Sequence, residues 1–249
     1  MIRKLPKFVG TGALALAMLL ASGSAWAGRP LDTEDTGTVE PGRAELELSL
    51  NYARNPGDNT GSTLGVFNFG VFPGFEARVE LPLLLVEPED EKSRAGFGDA
   101  TVGFKYRLLD EKGALPALLG SLILRLPTGD ADQGLGSEDV DVGLLGVISK
   151  SSGPLTFFGN IGYTIVTRDE DPNFWSFNAA VEYRATQAWS LVGELVSTVG
   201  ESRAAETVVL RAGSVYALTD MIKLDGAVGF GLTTQSPDVV VTVGVTIAF

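Results

Sequence analysis

The chain has 249 residues, no cysteine, no histidine, 31 glycines, 45% apolar residues and a formal charge of −12. No disulfide can staple it, the acidic balance leaves no basic footprint for nucleic acid, and the missing imidazole removes the usual catalytic base and zinc ligand. Composition therefore points away from a histidine-dependent barrel enzyme, a disulfide scaffold and a nucleic-acid binder, and no cofactor is expected.

The amino terminus reads as an export leader. Arg3, Lys4 and Lys7 precede an apolar stretch from Val9 to Ala21, and Ala25-Trp26-Ala27 places small residues where a signal peptidase reads. Residues 1–27 are expected to be removed after Ala27, which takes the formal charge to −15 because three cations leave with the leader. The apolar stretch is roughly 13 residues, short of the ~20 a spanning helix needs, and nothing later in the chain reaches that length uninterrupted.

Gly28 to Pro41 has no alternation and is expected to be a periplasmic segment, residues 28–41. Fully extended it reaches ~45 Å, enough either to enter a barrel or to hang free.

From Arg43 onward the pattern has period two. Candidate strands are Arg43–Asn55, Gly61–Phe72, Gly74–Val86, Phe97–Leu109, Leu115–Leu126, Glu138–Ser149, Pro154–Val166, Asn173–Arg184, Ala188–Val199, Glu206–Leu218, Met221–Leu232 and Asp238–Phe249. That is an all-β fold, an antiparallel up-and-down transmembrane barrel of about 12 strands spanning 42–249. An even count returns both termini to the periplasm, and the connections agree. Pro73-Gly74, Asp110–Gly113, Lys150–Gly153, Thr186-Gln187 and Thr219-Asp220 are tight turns. They alternate with outer loops containing Pro56–Asn59, Glu87–Gly96, Thr128–Ser137, Arg168–Pro172, Gly200–Ala205 and Thr233–Pro237.

Faces follow from the same period. Leu46, Leu48, Leu50 and Tyr52 fall on one face of the first strand, Trp175, Phe177, Ala179, Val181 and Tyr183 on one face of the eighth, and Val241, Val243, Val245, Ile247 and Phe249 on one face of the last. Aromatics near strand ends (Tyr52, Tyr106, Trp175, Tyr183, Trp189, Tyr216) suit interfacial girdles. A terminal aromatic, Phe249, resembles the signal read by barrel-assembly machinery. The location expected is the bacterial outer membrane, in contact with membrane lipid and lipopolysaccharide. A soluble periplasmic barrel is the weaker alternative.

The other face carries charge: Glu45, Glu47, Glu76, Arg78, Glu80, Asp99, Lys105, Arg107, Arg125, Glu182, Arg184, Glu194 and Arg211 are candidate lumen residues, with Lys223 and Asp225 beside them. They either form a salt-bridged interior or line a narrow polar conduit, since buried charge persists only when paired or wet. Acidic outer loops hold Glu87, Glu89, Asp90 and Glu91, then Asp130, Asp132, Glu138 and Asp139, then Asp169, Glu170 and Asp171. Asp130–Gly134 begins like a calcium loop without completing one, so no metal site is expected.

Four blocks together resemble the family of outer-membrane transporters associated with the meta-cleavage pathway of phenol degradation: Pro30–Val39, Gly98–Leu109, Leu126–Asp130 with Gly134–Ser137, and Asn160–Tyr163. The resemblance implies a barrel that passes small solutes, aromatic or apolar ones among them. A channel is the function expected, with small-molecule solutes as its cargo. The rival is a closed structural or adhesive barrel. An enzyme survives only through histidine-free chemistry, for which Glu45 and Glu47 are the available neighbouring carboxylates.

Overall fold

A computed structural model describes residues 28–89, 92–167, 173–200 and 206–249. The expected leader, Asp90 and Glu91, Asp169–Asp171 and the centre of the fifth outer loop lie outside these residues.

Thirteen strand segments form one antiparallel sheet: β1 Ala44–Asn55, β2 Asp58–Phe72, β3 Phe75–Pro88, β4 Arg94–Phe97, β5 Ala100–Leu109, β6 Ala117–Leu126, β7 Asp141–Ser152, β8 Leu155–Ile165, β9 Phe174–Arg184, β10 Trp189–Gly200, β11 Thr207–Ala217, β12 Ile222–Gly231 and β13 Val239–Ala248. Sequence neighbours pair throughout except that β4 and β5 both pair with β3, and β1 also pairs with β13 along Glu45↔Ala248 to Arg54↔Val239. The sheet therefore closes and has no free long edge.

The barrel has twelve staves, because β4 and β5 both lie against β3 and continue one another. The interruption has a local cause. Leu83 pairs with Phe97 while Glu80 pairs with Thr101, a slip of one residue at Gly98-Asp99. The strand opposite carries Pro82, which has no N–H to donate, and its carbonyl accepts from Gly98 N at 2.9 Å instead. An extra residue at a proline is a β-bulge, and it turns the chain locally. The expected fourth strand, Phe97–Leu109, thus begins earlier and is broken where it was expected to start.

Two turns differ from expectation. β2 begins at Asp58, so the first outer connection is only Pro56-Gly57, with Gly57 at φ 93°. β7 continues through Lys150–Ser152 to a Gly153-Pro154 turn, because Ser151 and Ser152 pair with Thr156 and Leu155. Polar residues at a periplasmic strand end read as turn, yet they extend the ladder into solvent.

The exterior is apolar all round. Leu48, Leu50, Phe67, Phe69, Leu81, Leu83, Leu144, Ile161, Phe177, Leu195, Leu210, Val241 and Val243 are among the large hydrophobics exposed on it. In water so large a contiguous apolar surface would drive association; facing lipid it is the band a spanning barrel needs. Tyr52, Tyr106, Trp175, Tyr183, Trp189 and Tyr216 are exposed, with Phe72, Phe75 and Tyr106 clustered beside one periplasmic turn and Trp175 against Tyr163 and Phe177. The molecule is an outer-membrane β-barrel.

Candidate functional site: a lumen occupied by the amino-terminal segment

The segment expected in the periplasm lies inside the barrel. Thr33 is fully buried, Asp35 and Thr36 nearly so, although the segment contributes no strand to the wall. Its exit is fixed at β2, where Gly42 N donates to Gly70 O at 2.8 Å and Gly70 N to Arg43 O at 3.1 Å. Gly70 is required there: a Cβ would stand 2.1 Å from Glu40 O and 2.4 Å from Val39 O.

Polar contacts reach the segment from around the wall. Arg29 makes an ion pair with Asp225 of β12 at 3.0 Å and donates to Thr242 of β13. Glu194 of β10 accepts from the backbone N–H of Asp32 and Thr33 and from the Thr33 hydroxyl at 2.6 Å. Arg211 of β11 grips the Asp32 carboxylate with both terminal nitrogens, at 2.8 and 2.7 Å, and stands 3.3 Å from Glu194. Glu34 is held from the opposite side, 2.6 Å from Arg78 of β3 and 2.9 Å from Lys105 of β5. Asn160 of β8 brackets the Glu34 backbone, its Oδ1 accepting from the N–H at 2.7 Å and its Nδ2 donating to the carbonyl at 2.9 Å. Thr36 meets Ser149 of β7 at 2.5 Å, Val39 N donates to Glu76 of β3 at 2.7 Å, and Arg107 of β5 donates to Thr38. The pattern is charge-complementary: Asp32, Glu34 and Asp35 of the segment meet wall cations, and Arg29 meets a wall carboxylate.

Apolar packing completes one side. Leu31 rests on the buried pair Phe158 and Ala180, and Leu119, Val147, Val192 and Val215 are buried on the same inward faces. Inward charges lie on β1, β3, β5 and β9–β12, with Arg125 and Asp141 paired at the outer ends of β6 and β7, while Leu119, Val147 and Phe158 make the middle of β6–β8 apolar. A buried backbone without a ladder needs partners for its N–H groups, and the wall carboxylates Glu194 and Glu76 supply them.

Six of the thirteen expected lumen residues contact this segment. Glu76, Arg78, Lys105, Glu194 and Arg211 contact it as described, and Arg107 does so from the periplasmic end, where it also pairs with Asp110 at 3.2 Å. Glu45 and Glu47 line a cavity of about 240 Å³ on the periplasmic side of it, Glu47 accepting from Asn68 at 2.8 Å. Glu80 pairs with Arg78 at 3.1 Å and lines a second cavity of about 360 Å³ on the outer side. Glu182 is buried on the inward face of β9, and Arg184 follows on the same face. Arg125 lies apart, pairing with Asp141 near the outer mouth.

Asp99 is put to another use. It accepts from Gly129 N at 2.9 Å, Ser137 N at 2.7 Å and Ser137 Oγ at 2.7 Å, so it ties the third outer loop to the β-bulge. Leu135 of that loop is buried, and a Cβ on Gly96 would stand 3.0 Å from it. The Gly98-Asp99, Thr128-Gly129 and Leu135–Ser137 stretches thus form one loop latch. Asp130 caps its own loop through Gln133, and among the described residues no group of three His, Cys, Asp or Glu side chains is arranged to hold a metal ion.

The neutral anchors Asn160, Ser149 and Thr242, and Asn68 beside Glu47, lie outside the set of charged residues that marks the inward faces in the sequence. Their inward period was readable, and Asn160 opens one of the four family-like blocks.

Residues 27–249 match the family described as "Putative MetA-pathway of phenol degradation". The chain belongs to this family. No curated protein is significantly similar to it in sequence. Among solved structures it is similar to an outer-membrane channel from Pseudomonas putida F1, at TM-score 0.72 and 17% identity, covering 88% of this chain and 100% of that one. The NanC porin follows at TM-score 0.62 and 12% identity, covering 81% and 98%. The translocator domain of the autotransporter NalP from Neisseria meningitidis has TM-score 0.56 and 11% identity, covering 83% and 88%. At such identities the likeness is one of fold, that of outer-membrane porins, channels and translocators.

Proposed function

We propose that this family member is an outer-membrane channel for small solutes, closed at rest by residues 28–41 and conducting when that segment shifts. The observation that carries the reading is the polar, non-covalent seating of the segment between two cavities. A purely structural interior could be filled by wall side chains, as in small barrels; here a segment of the chain does the filling, covalently continuous with the wall only where it enters β1 and otherwise held by hydrogen bonds and ion pairs.

The face above the segment favours solutes with an apolar part. Leu64, Pro82 and Leu84, Ile123, Leu145, Val196, Val209 and Val240 point inward in the outer half, as their register with inward polar residues requires. They alternate with Asn51, Ser62, Thr101 and Asn178. Apolar walls carrying a few polar groups are the usual lining of a small-molecule site. A small aromatic acid or phenol fits this surface, in keeping with the pathway after which the family is described. The reading assigns no catalytic step to Glu45 and Glu47.

Refolding the chain from Gly28 into liposomes, beside a variant lacking residues 28–41, tests this by swelling in sugars, amino acids and small aromatic acids. Flux that rises on deletion, with aromatic acids ahead of sugars of equal size, supports the reading. Silence in both proteins would leave a sealed structural barrel.

A further inference from the structure

Gly28 is the first described residue, and it sits in the lumen, not at the periplasmic opening. It lines both cavities that flank the inserted segment. Its neighbour Arg29 reaches Asp225 and Thr242 on the wall, and Leu31 N donates back to Gly28 O at 3.0 Å, so a tight turn holds this end in place. The family match begins at residue 27, beside the expected cleavage point.

The surroundings are short of positive charge. Six carboxylates and four cations line the periplasm-side cavity. Arg29 is engaged by Asp225, Arg78 by Glu34 and Glu80, and Lys105 by Glu34 at 2.9 Å while standing 3.8 Å from Asp35 and Glu76. Lys223 lines the same cavity from β12, in register with Glu47 across Thr246 of β13, so its one charge is set against both Glu47 and Glu45. Glu47 receives the neutral amide of Asn68. Asp35 receives the Gly37 N–H, and a Cβ on Gly28 would lie 3.8 Å from Asp35 Oδ2. Excess buried negative charge is costly unless a cation meets it.

We propose that leader removal supplies that cation: the α-ammonium of Gly28 seats inside the barrel as the partner of Asp35 and Glu47 and tightens the hold on the segment. The step is hydrolysis of the Ala27–Gly28 peptide bond. Water adds across it, Ala27 keeps the carboxylate, and Gly28 keeps an amine that takes up a proton near neutral pH. In an uncleaved chain the Gly28 nitrogen is a neutral amide and brings no such charge. Processing then does two things at once, freeing the end and charging it. The inference shares with the proposed function only the inserted segment and does not depend on any solute crossing.

The test is amine reactivity. The chain beginning at Gly28 is folded into liposomes, its folded state shown by heat-modifiable gel migration. It is acylated briefly with N-hydroxysuccinimidyl acetate at pH 8, and the Gly28 amine and the exposed Lys112 amine are quantified by peptide mass spectrometry. Gly28 is expected to react at least tenfold more slowly in the barrel than in urea, with Lys112 little changed. The Asp35→Asn/Glu47→Gln double variant should regain several-fold reactivity at Gly28. Reaction at the urea rate in the folded protein would overturn the proposal, and so would a mature amino terminus other than Gly28 in protein taken from outer membranes. As a second measurement, a chain with nine additional residues before Gly28 should open more often than the chain beginning at Gly28; equal closure of the extended and mature chains would also overturn it.

Discussion

Replacing Lys105 by methionine should unseat the amino-terminal segment. The ammonium is buried, with 6% of its side chain exposed, and it is the shared cation of Glu34 at 2.9 Å and of Asp35 and Glu76 at 3.8 Å. Methionine keeps the length and the apolar stem but removes the charge. Taking one partner from a buried pair costs about 3–5 kcal/mol, because the carboxylate left behind has lost its solvent as well as its counterion. Two of the three carboxylates, Glu34 and Asp35, belong to the segment and recover solvent when it leaves the lumen. Much of that cost therefore appears as a shift toward the unseated state, and at ~1.4 kcal/mol per decade it amounts to roughly two to three decades in the equilibrium. Arg78 remains 2.6 Å from Glu34 and holds the shift toward the lower end. Single-channel recording in planar bilayers reads this directly: K105M should show long open periods at a conductance close to that of the protein lacking residues 28–41. E34Q combined with K105M should close more often than K105M alone, since the amide no longer demands the lost cation. If K105M is folded and its open probability equals that of the parent, the segment is not held by this network and the electrostatic account fails.

Gly70→Ala should loosen the same segment by sterics, since the new Cβ meets backbone oxygens of Val39 and Glu40 that only a backbone shift can move; proteolysis within residues 28–41 should become faster while the barrel still folds. Arg211→Met should weaken closure less than K105M, because Asp32 is half exposed and regains water, leaving Glu194 to bear most of the loss; open probability in the same bilayers ranks the two. Asp99→Ala removes the acceptor of the Gly129 and Ser137 N–H groups, and hydrogen exchange at those two amides should accelerate at least tenfold with little change in the strands. At the periplasmic end, the hydrogen bond from Lys150 Nζ, 2.7 Å away, holds the Glu111 carboxyl below the usual carboxylate range despite opposing desolvation, helped by Ser151 N–H. A depressed carboxylate contributes stability at pH values above its unfolded pKa of about 4.3, lost as pH falls through the folded value. E111Q should therefore lower the urea midpoint at pH 7 and leave it unchanged at pH 2; an equal loss at both would show that the pair contributes nothing through ionisation.

The wall of this protein was legible and its interior was not, and the difference is one of range. A strand facing lipid on one side and a polar lumen on the other writes its structure every two residues, so Leu46, Leu48 and Leu50 in β1 or Trp175 and Phe177 in β9 announce their face locally. Turn chemistry then fixes the order of staves, and where it misled, at Lys150–Ser152, the ladder simply ran past residues that can tolerate either state. The break at Gly98 could not be read in its own segment, since its cause is Pro82 on the facing strand. The amino-terminal segment is the extreme case. It has no period because, apart from the single bridge of Pro41 to Gly70, it pairs with no strand, and its partners lie far along the chain, Asn160 at 126 residues from Glu34 and Thr242 at 213 from Arg29. Only after the barrel closes do β3, β5, β8, β10, β11 and β12 present cations, carboxylates and amides to one axis. What the chain does carry locally is the order Arg29, Asp32, Glu34, a sequence of charges without a partner in sight. An alternating run of inward Glu, Arg and Lys beside such a stretch is then evidence of something to be bound inside the barrel, and here the ligand with the matching charges is the chain's own beginning.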